Sequence, residues 1–176
     1  MDMFILLSLL MFLSPPVEQA ISIIKQMPEC KPLLAKIAEE GGFRVVENKT
    51  APFGAQWNPN TRVIEINSLN HATVGDVIVS LLFELHNAGT DARLRYLQDC
   101  AHARSISRQR FVRKMEQREW KNWEATCALV QIGKQRGLFP AQTMAVSFGT
   151  FDRYLDMQNA GGHTQFHADI YNFLSS

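Results

Sequence analysis

The segment from Thr73 to Gly89, TVGDVIVSLLFELHNAG, constrains the fold more than any other. At about 100° per residue, Val74, Val77, Ile78, Leu81, Leu82 and Leu85 fall in one helical stripe, while Phe83, Glu84 and Asn87 gather on another side. A surface helix needs only one apolar face. Two faces fit for burial predict a central helix with a layer against each. Thr73, followed three residues later by Asp76, is an acidic variant of the capping box and predicts where the helix starts.

Around this helix the pattern alternates between short helices and strands. VEQAISIIKQMPECKPLLAKIAEEGG, broken by Pro28 and Pro32, predicts two short helices ending at Gly41-Gly42. FRVVENK and RVIEIN are rich in β-branched residues and predict two strands, joined through Pro52, Gly54 and a turn at Asn58-Pro59-Asn60, with Trp57 a core or sheet-edge aromatic. A second long helix is expected from Ser105 or Ser107 to Gly133 or Gly137. One of its faces carries Val112, Glu116, Glu119, Trp120, Trp123, Cys127 and Val130, and the opposite one Arg110, Lys114, Arg118 and Lys121. The basic face reads as a solvated surface, with a phosphate-binding stripe as the alternative. The two glutamates are the anomaly, because they lie on the aromatic face, where a buried carboxylate has to be paired or protonated. Near the C-terminus, MAVSFGTF is expected as a short strand or helix, and Gly161-Gly162 as a break before a last helix.

At 176 residues the chain is long enough for one ordinary domain, taken as 21–176, behind a hydrophobic segment 1–20. Met3–Leu13 carries no charge. It is too short to span a bilayer as a helix but has the length of a signal-peptide core, so a secreted or periplasmic location with no transmembrane span is expected, although Met1-Asp2 supplies no basic residue and Glu18 spoils the cleavage pattern before Ala20. A formal charge of +1 gives no overall attraction to nucleic acid, which is not expected as a partner on this ground. Cys30, Cys100 and Cys127 show no metal or redox spacing and read as small apolar residues with at most one disulfide.

The order helix, strand, polar turn, strand RVIEIN, helix with LLFELHNA and longer helix with glutamates resembles the zincin-like fold of glutamate-zincin metallopeptidases, including small bacterial effector proteases. The resemblance covers roughly residues 20–130. It implies an α+β domain in which a small antiparallel or mixed sheet packs on the central motif helix and a second long helix. In such families the central helix carries His-Glu-x-x-His. Glu84 then matches the catalytic acid, Ala88 the small residue after the motif, and Glu116 or Glu119 the third ligand. Phe83 and Asn87 replace both metal-binding histidines, so the pattern is a degenerate one: phenylalanine offers no lone pair and an amide carbonyl is a poor zinc ligand. His86 is rotated about 100° from Asn87 and does not repair the loss.

With the hydrophobic N-terminal run, the resemblance implies an exported, effector-like pseudoenzyme that binds an unidentified protein or small molecule, with no metal and no cofactor assigned. The alternative is a hydrolase using Glu84 with Glu116 or Glu119, and with Asn87 beside them, with or without a hard divalent cation. Both place the Glu84 carboxyl opposite those of Glu116 and Glu119. His163 and His167, spaced i, i+4, suit a metal if helical, but no third ligand stands near them in the sequence and they read as surface residues. Cys100 and His102 form a nucleophile and base only if their segment is not helical. The sequence contains no Gly-rich phosphate loop, nucleophile elbow or dinucleotide fingerprint.

Overall fold

A computed structural model describes residues 13–176; the run Met3–Leu13 lies, but for its last residue, outside them. The described residues form seven α-helices and a three-stranded mixed sheet, an α+β architecture. In order these are α1 (Pro15–Gln26), α2 (Lys31–Glu39), β1 (Arg44–Glu47), β2 (Ala55–Asn58), β3 (Val63–Ile66), α3 (Val74–Gly89), α4 (Asp91–His102), α5 (Arg108–Gln135), α6 (Phe151–Ala160) and α7 (His163–Leu174). None of the described helices is long and apolar enough to cross a membrane. The chain gathers into two compact units. Among the described residues, one holds 13–89 with Thr126–Ala145, the other Thr90–Ala125 with Val146–Ser176.

In the first unit α3 is the central element, packed against α1, α2 and the sheet. Val77, Ile78, Leu81, Leu82 and Leu85 are all buried, as the stripe predicts, and so are Glu84, Asn87 and Ala88. The helix starts on the predicted box: the Thr73 N–H donates to Asp76 Oδ2 and the Asp76 N–H to Thr73 Oγ1. Ala20 and Val17 are fully buried on α1. The segment after α5 lies directly on this unit because two glycines admit it. A Cβ on Gly75 would stand 2.6 Å from Thr143 Oγ1, and one on Gly133 2.5 Å from the Phe139 ring.

The sheet runs β1-β3-β2, with β1 parallel and β2 antiparallel to the central β3. The expectation of two strands misses β2. Ala55-Gln56-Trp57-Asn58 has no β-branched residue, yet it pairs because β3 offers a free edge and Trp57, 7% exposed, gains burial there.

In the second unit Ala101, Phe111 and Met115 form a core closed by Leu94, Leu97 and Ile106 and by Ile170, Tyr171 and Leu174 of α7. Two expectations are corrected here. Residues 91–102 form the regular helix α4, so Cys100 and His102 point apart, and the His102 ring donates from Nδ1 to the Leu174 carbonyl 3.0 Å away, leaving no nucleophile and base pair. MAVSFGTF forms neither strand nor helix before Phe151. Side chains bond part of its backbone instead: Trp123 Nε1 donates to the Val146 carbonyl, and the Phe148 N–H donates to Glu124.

Candidate metal centre

The sequence-predicted site residues belong to two clusters. Glu84 and Asn87 belong to the first unit. One oxygen of Glu84, Oε2, accepts from the Trp57 backbone N–H at 2.9 Å and from Asn87 Nδ2 at 3.0 Å. The carboxylate thus caps an N–H of the edge strand β2 that the sheet leaves unused, and Asn87 one turn later braces it. Phe83 is half-buried beside them and supplies no lone pair. Where a zinc protease of this pattern has its two histidines, these residues do not fit a zinc ion. Glu84→Ala should cost about 1–3 kcal/mol, because the Trp57 N–H would lose its buried acceptor. Urea unfolding measures this, and a loss below about 0.5 kcal/mol would contradict the capping role.

Glu116 and Glu119 belong to the second unit, one turn apart on α5. The sequence did not reveal what faces them. Gly162, at φ +80°, turns the chain into α7, an angle glycine adopts without strain. His163 therefore opens the helix and His167 follows one turn later on the same side. The Phe111 and Tyr171 rings, 5.6 Å apart, pin α5 to α7, and the Tyr171 hydroxyl donates to the Ile106 carbonyl. From this anchor the contacts run in opposite directions along the two helices and bring the histidines onto the glutamates.

The four side chains present one ligand atom each within 4.8 Å of one another. His163 Nδ1 lies 3.1 Å from Glu116 Oε1 and its Nε2 3.7 Å from Glu119 Oε2. His167 Nε2 lies 3.3 Å from Glu119 Oε1 and 4.0 Å from Glu116 Oε1. Ligand atoms about 2.0–2.1 Å from a tetrahedral ion stand about 3.3 Å apart, within the range of these separations. The expectation of surface histidines fails for His167, 2% exposed, because α7 turns that side onto α5.

The electrostatics of the cluster call for a cation. Glu116 is fully buried, and among the described residues its Oε2 and both ring nitrogens of His167 make no hydrogen bond. Unmet polar atoms at such depth are costly and rare. The hydrogen bond to Glu116 raises the pKa of His163, against the opposing effect of its burial and with help from the Glu119 charge. A proton on His163 thus partly fills the role a metal ion would fill completely. Tyr154, buried beside the cluster, is held in its phenol form, first by burial and then by the Glu119 charge.

The spacings Glu-x-x-Glu and His-x-x-x-His were both visible in the sequence, 47 residues apart from Glu116 to His163. Nothing local joined them, since only the packing of α7 on α5 does so. Comparison with protein-family models, with curated proteins and with solved structures finds no match for this chain.

Proposed function

We propose that the protein binds one divalent transition-metal ion through Glu116, Glu119, His163 and His167. The observation that carries this reading is the convergence of one buried and one half-buried imidazole with two carboxylates, with polar atoms that make no hydrogen bond among them. Two nitrogens with two oxygens favour zinc, cobalt or nickel over magnesium or calcium, which prefer oxygen alone. This revises the expectation of an oxygen-only site built on Glu84.

On this reading the chain is an altered, zincin-like scaffold. Its central helix has lost both histidines, its glutamate caps a strand, and the acidic residues that match the third ligand lie on α5, beyond the intervening α4, where α7 joins them. The charge-free run Met3–Leu13 supports export, and the resemblance to small bacterial effector proteases an effector-like role. Binding is the primary activity proposed. Hydrolysis is the second reading, favoured by the partial exposure of His163 (34%) and Glu119 (15%), which leaves one side of the site open to water. A bound ion would there supply Lewis acidity to a water reaching it from the open side, with all four side chains kept as its ligands.

Calorimetric titration of the chelator-treated full chain with zinc, alongside cobalt absorption spectra, tests the binding. One equivalent should bind, and His163→Ala with His167→Ala should weaken it by more than about 100-fold, since even outer-shell changes cost 10- to 100-fold. Equal binding by the double variant would overturn the assignment.

A further inference from the structure

On the other side of α5 from the metal centre, a groove of about 350 Å³ runs between α4 and α5. Arg93 and Tyr96 line it from α4, and Lys114, Arg118 and Lys121 from α5. The three α5 cations lie on one side of the helix over about 10 Å. No ion pair with an acidic residue is formed by Arg93, Lys114, Arg118 or Lys121 among the described residues, whereas the neighbouring Arg95 is paired with Asp91 and Arg113 with Asp152. Arg118 is half-buried, and both its burial and the nearby Arg93 charge work against its guanidinium. Two like charges brought together without a counter-charge cost free energy that an anion would return. Tyr96 stands at the rim, 67% exposed, its hydroxyl hydrogen-bonded to Cys100 and its ring largely open to solvent.

We propose that this groove binds a nucleoside di- or triphosphate, its phosphates on Arg93 and Arg118 with the lysines at either end, and its base against Tyr96. Guanidinium forks match phosphate oxygens in pairs, and every base offers a face to an aromatic ring. The volume suits one small ligand rather than a polymer. The phosphates are held by side chains of two helices, so the missing Gly-rich loop is no obstacle.

The test uses the full chain in EDTA, so that the metal centre plays no part in the result. ATP, inorganic tripolyphosphate and a twelve-residue oligothymidylate are titrated separately by calorimetry at two salt concentrations. ATP and tripolyphosphate should both bind, more weakly at higher salt. Arg118→Ala should weaken both by about 10- to 100-fold. Tyr96→Ala should weaken ATP by at least about fivefold and leave tripolyphosphate within about twofold. Arg93→Ala, at an exposed position, repeats the Arg118 test should that variant fold poorly, and Arg110→Ala makes the same charge change outside the groove. Absence of saturable ATP binding, or an equal loss from Arg110→Ala, would overturn the proposal. So would oligothymidylate binding that excess ATP cannot displace, which would give the groove to a polymer.

Discussion

Zinc held at a hundred times its dissociation constant at pH 8 should stabilise the protein by about 2.7 kcal/mol. For a chain of this size that is a rise in Tm on the order of 5–11 °C. The effect should fade as pH falls. In the metal-free protein His163 has a raised pKa, owing chiefly to its hydrogen bond with Glu116. Its folded form binds the proton more tightly than the unfolded chain, so its contribution is complete below about pH 6.5 and is lost as pH rises through the raised value. Metal requires the same imidazole without its proton, so the gain from zinc is present at high pH and fades on acidification. Glu116→Gln keeps the shape of the side chain and removes the charge. It should flatten the metal-free pH dependence and abolish most of the zinc effect together. Thermal unfolding with and without zinc from pH 5 to 8.5 measures both, and a zinc-induced shift that is equal at the two ends would refute the shared site.

Acid should destabilise the protein through a different histidine. Burial lowers the pKa of His86, on α3, to about 4. The folded state resists protonation there while the unfolded chain accepts a proton near pH 6.5, so stability is intact above that value and declines as pH falls towards 4. A difference of about 2.5 units corresponds to roughly 3 kcal/mol in full, with roughly 2 kcal/mol gone by pH 5. His86→Gln retains a hydrogen-bonding side chain that cannot protonate. Its stability curve should therefore converge with, and then exceed, that of the native chain between pH 7 and 4. Urea midpoints across this range decide the matter; parallel curves would show that His86 is not the group titrating.

Local pattern was enough for the elements with strong periodicity. The α3 stripe, its Thr73–Asp76 start, the end of α1 before Pro28 and β3 in RVIEIN all follow from side-chain spacing and backbone limits within a few residues, whereas Pro32 breaks no helix and sits in the first turn of α2, where its missing N–H is no loss. The elements it missed lack such spacing. Helix α4, DARLRYLQDCAH, has little apolar content and is held by Leu94, Leu97 and Ala101 on the Phe111 core, while β2 exists because β3 has an edge to fill.

The candidate site divides in the same way. Burial of Glu116 on an aromatic face was legible from the helical projection, and with it the need for a compensating partner. Which partner was not legible, because a carboxylate's neighbours are set by whichever helix covers it, and His163 and His167 reach it from a segment that the sequence keeps far away. The sequence by itself determined the periods, the breaks and the burial of charged groups, all governed by forces acting within one or two turns. Tertiary structure alone decided that two histidines meet two glutamates, since long-range pairing depends on the free energy of packing α7 against α5 and on no local preference.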